Sequence, residues 1–574
     1  MSGDTVLVLS ICVFLWGITN FRKQKMNDLV QYEIDALYTT KVAYFSMEFA
    51  IDQSLKIYSG GLGFLAGSHI RSAFDLEQHM TGVGLLWSFG YYDQGRNEDR
   101  SLRVEHTRKF QYFLEDPEIT VTVSVNGKPV HVKVMILPSH VFGSAPLILL
   151  STDIPKNDFL ARTITHKLYD GNEETRIAQE IVLGIGGVKA LQALNQLVDI
   201  YHMNEGHSLP LVFELLNTYD TIEAVREHVV FTTHTPEKAG NEEHNVHFLA
   251  QMGFFNGYSL KDIQDKLHYY DENFSLTVGA LKTSKRSNAV SKIHETVANQ
   301  MWEHVEGRCE IIGITNAQNR RFWTDKPLIR AIEEHEDYEV IARKKHLKKI
   351  LFEEVADQTG KVFSPDVFTI VWARRFAEYK RPGLLKYDLN RFDKLLKNTN
   401  YPIQVIWAGK PYPGDVGAIN IFNELIELSH SYKNMAVLIG YEIKLSKMLK
   451  QGSDIWLNTP RVTREASGTS GMTASMNGSI HFSINDGWHP EFAKDGVNAF
   501  SIDTADASLP IHEQDKYDHA EMMDKLENVI LPLYYNDVKQ WVEIMKYGIN
   551  DVMRQFDSSR MAHQYYKWMY NYEQ

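Results

Sequence analysis

The sequence predicts an α/β protein with two parallel-sheet domains facing each other across a cleft, and three observations predict it. From Val42 onward, short β-branched or aromatic runs alternate with segments of helical period, the signature of a parallel sheet with crossover helices. The alternation occurs twice, stopping near residue 240 and restarting at Val367. The chain has 574 residues, which at one domain per ~150 leaves room for two to four compact units with well-buried cores. Open α/β sheets bind ligands at the carboxyl ends of their strands, so the cleft between two of them is the expected site.

The elements follow in order. The apolar stretch Val6–Ile18 precedes Phe21-Arg22-Lys23-Gln24-Lys25. It is shorter than the ~20 residues that span a bilayer and lacks the basic lead and small-residue cleavage site of a signal peptide. Residues 1–25 therefore read as an apolar extension, and a start at Met26 gives a cytoplasmic protein; a membrane anchor is the alternative reading. VAYFSMEFA (42–50), GVGLLWSF (82–89), PLILLST (146–152), VDIYHMN (198–204) and HVVFTTH (228–234) read as strands. Arg176–Leu194 has the period of a helix. Between Glu118 and Leu137, two alternating runs flank Asn126-Gly127, the strongest short hairpin signal, so this stretch reads as an antiparallel ribbon on the sheet edge.

Residues 26–240 are thus assigned to a first domain with a hairpin insertion. Residues 241–362 are polar, show few strand signals and read as helical elaboration and linker. Strands resume with VFTIVWARR (367–375), IQVIWAGK (403–410), MAVLIGY (435–441), SDIWLNT (453–459), SIHFSI (479–484) and AFSID (499–503), which places a second domain at 363–510. The tail, 511–574, is helical. In its last stretch Phe556, Met561, Tyr565, Trp568 and Met569 recur near helical spacing, an apolar stripe that needs a surface to cover.

Composition narrows the function. Lys+Arg 60 against Asp+Glu 73 gives a net charge of -13, so no global positive field draws the chain to nucleic acid or anionic lipid, and an anion site must be built locally. Two cysteines, Cys12 and Cys309, make neither a disulfide framework nor a thiolate metal site and fit a reducing compartment. No His/Asp/Glu cluster has metal-ligand spacing, so no metal is expected.

Three segments carry chemistry. Tyr58-Ser59-Gly60-Gly61-Leu62-Gly63 follows the first strand and opens a helix, where its amides can point at an anion; a plain tight turn is the competing reading. Arg374-Arg375-Phe376-Ala377-Glu378-Tyr379-Lys380-Arg381 ends a strand at the ligand-binding end of a sheet. Arg375 and Lys380 there can grip a phosphate dianion, and Lys410 after the next strand adds a cation; the bland reading is a solvated charge run. Glu465-Ala466-Ser467-Gly468-Thr469-Ser470-Gly471-Met472-Thr473 is rich in small residues that admit a ligand close to the backbone, with an acid suited to sugar hydroxyls, or is simply a capped turn. His207 and His234, each after a strand, can contact substrate or satisfy buried backbone.

Taken in order, AYFSMEFAIDQSLKIYSGGLGFLAGSHIRSA, HMNEGHS, FTTHTPEKAG, GITNAQNRRFW, ARRFAEYKR, IWAGKPYP and EASGTSGM closely resemble the α-glucan (glycogen, starch, maltodextrin) phosphorylases in their short bacterial form, from about Val42 to the late 480s. The resemblance implies two Rossmann-like domains in the GT-B arrangement, with the C-terminal helices crossing back to the first domain. It implies transfer of the non-reducing-end glucose of an α-1,4-glucan to phosphate with retention, giving glucose 1-phosphate, and a possible homodimer. It assigns Gly60 and Gly61 to the glycine loop over the phosphate, Arg375 and Lys380 to phosphate binding, and Arg374 to a cofactor-phosphate contact. His234 falls beside the glucosyl unit, Asn316 on sugar hydroxyls and Glu465 on the same ring.

One position departs from the pattern. Family members read GTSGMK or GTGNMK, the lysine forming a Schiff base with pyridoxal phosphate; here Thr473 stands in its place and cannot make an imine. A second departure is Ala317, where the family has glycine. Pyridoxal phosphate is therefore expected by resemblance but without a covalent link at 473, or no cofactor at all. A retaining glucosyltransferase using a nucleotide sugar, and a non-catalytic glucan-binding protein, are the other two readings.

Overall fold

The computed structural model describes residues 28–237 and 240–572, so the apolar extension read from the sequence lies outside the described residues. The first sheet contains β1 (Val42–Phe45), β2 (Met80–Leu85), β3 (Thr120–Val125), β4 (Lys128–Leu137), β5 (Leu147–Ser151), β6 (Ile200–Asn204), β7 (Val229–Thr232), β8 (Arg286–Ala289) and β9 (Glu310–Gly313). Their spatial order is β9-β8-β7-β6-β1-β2-β5-β4-β3. The second contains β10 (Phe368–Ala373), β11 (Ile403–Ala408), β12 (Met435–Leu438), β13 (Ile455–Asn458), β14 (Ile480–Ile484) and β15 (Phe500–Ile502), ordered β12-β11-β10-β13-β14-β15. Apart from the antiparallel β3–β4 and β4–β5, neighbours run parallel.

Every residue of β1, β2, β10 and β11 is buried, because helices cover both faces; that is why these strands read as nearly continuous apolar runs rather than alternating ones. The expected ribbon is β3–β4. Asn126 and Gly127 both take positive φ, 50° and 70°, as a tight two-residue hairpin turn requires. The helix expected at 176–194 runs Glu173–Ala193 with a wide turn at Val182–Gly186.

One expectation needs correction. The stretch 241–362, read as helices and linker, supplies β8 and β9 and so completes the first sheet. Arg286-Ser287-Asn288-Ala289 has no apolar signal. Its last three residues are buried, with side-chain hydrogen bonds: Asn288 accepts from Thr232 Oγ1 at 2.7 Å and donates to Tyr565 Oη at 3.0 Å.

Five helices position the site and its supports: α1 (Gly61–Asp75), α2 (Asp337–Thr359), α3 (Ile443–Gly452), α4 (Thr469–Ser475) and α5 (Ser558–Gln564). The last, with the wide turn Tyr565–Tyr570, lies on the first sheet. Ser558 Oγ meets Ser72 Oγ at 2.5 Å, the Tyr565 ring stacks on His69, and Tyr570 Oη meets His202 Nδ1 at 2.8 Å. Met561, Tyr565 and Met569 join the first core, each worth about 1.5–3 kcal/mol when fully buried, while Phe556 packs with Met472 and Trp488 of the second domain. The apolar stripe of the tail thus bridges both domains, with Trp568 half-buried at its rim. Among the described residues, no helix is long and apolar enough to cross a membrane.

Candidate active site

Residues that follow β1, β6 and β7 face residues that follow β10, β11 and β13 across a cavity of about 720 Å³. On the first-domain side the glycine loop is anchored from beneath. The Glu48 carboxylate accepts the amides of Ser59 and Gly60, at 2.5 and 3.2 Å, together with the Tyr169 hydroxyl at 2.8 Å. Of the amides that the sequence reading allowed to point at an anion, those of Ser59 and Gly60 are thus held by Glu48. The first turn of α1 has no side-chain cap on its amides. A Cβ on Gly60 or Gly61 would meet nothing within 4 Å, so both face open cleft.

His234 lines the cleft and is held twice: its backbone amide donates to Glu205, and its Nε2 meets Asn204 Oδ1 at 2.8 Å. Burial, with His294 and His207 nearby, pushes its pKa down to about 3, so the ring is neutral. Burial likewise takes His207 down to about 4. Asn316 lines the cavity and is 3% exposed, and its buried Oδ1 has no hydrogen-bond partner.

The second-domain side gathers the cations. Arg374 is buried. It donates to Leu457 O at 3.2 Å and lies 4.0 Å from Glu465 Oε2, and its Nε has no partner. Lys380 Nζ donates to the same Oε2 at 2.7 Å. Arg375 stands exposed in the cleft, and among the described residues no carboxylate is within ion-pairing distance of it. Lys410 also lines the cleft, but its ammonium is committed to Tyr92 O at 2.9 Å and Glu442 Oε1 at 3.3 Å. Glu442 also pairs with Lys56 at 3.0 Å, so this cluster ties the second domain to the first. Thr473 is 1% exposed, does not line the cleft and donates its hydroxyl to Ser470 O at 3.1 Å.

Two buried acids escaped sequence reading. Glu205, at the end of β6 with φ of 72°, has its pKa pushed up to about 7 by burial, against hydrogen bonds from His234 and Thr235. Asp486 accepts the Glu465 amide at 2.9 Å and is raised to about 7 by burial. Glu205 sits inside the HMNEGHS block and was accessible to closer inspection; Asp486 lies outside every motif. Contrary to the expected absence of a ligand-spaced cluster, Glu180, Glu242 and His244 bring ligand atoms within 4.8 Å of one another. Residues this far apart in sequence converge only in the fold. The Arg176 guanidinium, 2.7 Å from Glu242, takes the place of a cation beside them.

The carbohydrate phosphorylase family model matches residues 313–539. The maltodextrin phosphorylase of Thermococcus litoralis is 32% identical, over 92% of this chain and 70% of that protein. The glycogen phosphorylase of Aquifex aeolicus is 29% identical over 96% of this chain and 88% of that one. An uncharacterized protein of Methanocaldococcus jannaschii is 50% identical over 92% and 99%.

Proposed function

The chain belongs to the α-glucan phosphorylase family, and from that premise we propose that its cleft transfers the non-reducing-end glucose of an α-1,4-glucan to phosphate, with retention, releasing glucose 1-phosphate. The observation that carries this reading is Arg375, a guanidinium standing in the cleft without a carboxylate partner, in the same lining as the Lys380–Glu465 pair and the glycine loop.

A phosphate dianion bridges Arg375 and Lys380 through charge-assisted bonds. Glu465 and the free Oδ1 of Asn316 accept bonds from sugar hydroxyls and fix the ring above the anion. As the glycosidic bond breaks, the bound phosphate passes its proton to the leaving oxygen while positive charge grows at the ring; the phosphate stabilises that charge, and one of its oxygens then bonds the anomeric carbon on the face the glucan left. His234, neutral and tied to Asn204, bounds the sugar and carries no proton of its own to the leaving oxygen. Tyr91 and Tyr169 wall the cleft and narrow the access of water.

The residues fit the phosphate end of pyridoxal phosphate. Arg374 would hold it with its unpartnered Nε, aided by the cleft-lining Thr469 and Ser470. When bound, the cofactor supplies a second phosphate that can pass a proton to the substrate phosphate. Position 473 offers only a hydroxyl turned into its own helix.

The test is phosphorolysis of maltodextrin in orthophosphate with pyridoxal phosphate supplied, reading glucose 1-phosphate. Its appearance supports the reading. Glucan elongation from a nucleotide sugar, without phosphorolysis, would replace it.

A further inference from the structure

Lys450 is a buried amine without a counter-charge. It is 1% exposed, and its Nζ rests 4.0 Å from the centre of the Trp323 ring and 5.4 Å from that of Phe64. Among the described residues this nitrogen has no carboxylate, carbonyl or hydroxyl partner. Other buried lysines nearby are fully engaged. Lys344 donates to the carbonyls of Gln451, Ser453 and Asn477, and Lys348 pairs with Asp454 at 2.5 Å. A buried ammonium left unpaired is costly, so the side chain sheds its charge. Burial first, and then the neighbouring Lys447 cation, drive its pKa well below the usual lysine range. The free amine is the nucleophilic form.

Its place in the fold gives this amine a use. Phe64 belongs to two surfaces, lining the cleft on one and meeting Lys450 Nζ on the other. Ser446, one turn before Lys450 on the same face of α3, donates to the hydroxyl of the cleft-lining Tyr441 at 3.5 Å. Ala474 of α4, next to Thr473, shares an apolar cluster with Phe64, Trp323, Tyr441 and Leu449. Lys450 therefore stands just behind the cleft wall, beside the helix whose residue 473 has no amine.

Resting on the reading that pyridoxal phosphate is held in this cleft, we infer that Lys450, and not residue 473, fixes the aldehyde of the cofactor as a Schiff base. The amine nitrogen adds to the aldehyde carbon, a C=N bond replaces C=O, and the oxygen departs as water with both amine protons. No oxidant or reductant is needed. Lys447 does not serve, because it is only half-buried and lies over Phe322 at 3.5 Å.

The test uses the full chain incubated with pyridoxal phosphate, gel-filtered, reduced with borohydride, digested with trypsin and mapped by mass. The expected result is a phosphopyridoxyl group on the peptide Met448–Arg461, uncleaved at Lys450. Lys450→Met and Lys450→Arg should both lose the reducible adduct and its absorbance. The wild-type map stands even if neither variant folds. An adduct on another lysine, Lys447 included, overturns the inference. So does cofactor that binds and supports phosphorolysis with nothing to reduce, an outcome that leaves the proposed function standing. Absence of both cofactor binding and phosphorolysis overturns the two together.

Discussion

Lys380 Nζ donates to Glu465 Oε2 at 2.7 Å, joining the turn after β10 to the loop after β13 on one wall of the cleft. Burial works against the Glu465 charge, yet Lys380 and Arg374 overcome it and hold the carboxyl below its usual range. Lys380 therefore already neutralises an acid, and in the proposed function it is shared between that acid and the substrate phosphate.

Removing the lysine tests that sharing. Lys380→Met leaves a buried carboxylate facing one guanidinium at 4.0 Å, and breaking such a pair costs on the order of 3–5 kcal/mol. Glu465→Gln alone should cost less. The double variant should recover at least about 1 kcal/mol over the sum of the singles, measured by denaturant unfolding. Strict additivity would show that the two groups do not interact in solution.

Arg375 has no such partner, so its loss should spare the fold. Arg375→Ala is expected to change stability by no more than about 0.5 kcal/mol. It should weaken orthophosphate and glucose 1-phosphate binding by about 1.5–3 kcal/mol, roughly 10- to 150-fold. Isothermal titration with each ligand, beside a melting curve, separates the two effects. Unchanged anion affinity would remove Arg375 from the phosphate site.

The glycine loop separates room for a ligand from room for the chain. Gly61→Val adds a side chain where nothing lies within 4 Å, so stability should move by less than about 1 kcal/mol while the branched group intrudes on the cleft and lowers kcat/KM. Gly63→Ala, two residues on, puts a Cβ 2.7 Å from both Glu48 Oε2 and Tyr58 Cβ and should destabilise by about 1–3 kcal/mol. Melting curves and phosphate titrations of the pair should show opposite patterns.

Much of this arrangement was legible in the sequence, for a physical reason. Strands buried on both faces, such as Phe368–Ala373, are apolar along almost their whole length, and the residues just past them fall at the cleft, which is how Arg375 and Glu465 stood out. β8 escaped because Ser287 and Asn288 are buried by hydrogen bonding rather than hydrophobicity. The commitment of Lys410 to Glu442 depends on a partner 32 residues away, and that of Glu48 to the loop on the path of the chain between them. Asp486 had no signal at all, since a single acid between a strand and a turn looks like any surface residue until the fold buries it.

Asp486 also sets a pH dependence whose sign can be worked out. Burial raises its pKa from 3.8 to about 7, with the Glu465 charge adding to the rise and the amides of Glu465 and Gly487 opposing it. Below about pH 4 the group is protonated in both folded and unfolded chains, and its contribution to stability is complete. Between about 4 and 7 the unfolded chain releases the proton while the folded chain keeps it, so stability falls as pH rises and levels off above 7. At 1.36 kcal/mol per unit, the loss across that window is on the order of 2–4 kcal/mol. Asp486→Asn retains a carbonyl that can accept one of the two amides and cannot ionise. Its melting temperature should therefore fall less than that of the native chain between pH 5 and 7.5, even if its stability is lower throughout. Parallel curves for the two proteins would mean that Asp486 is ionised in the folded chain at neutral pH.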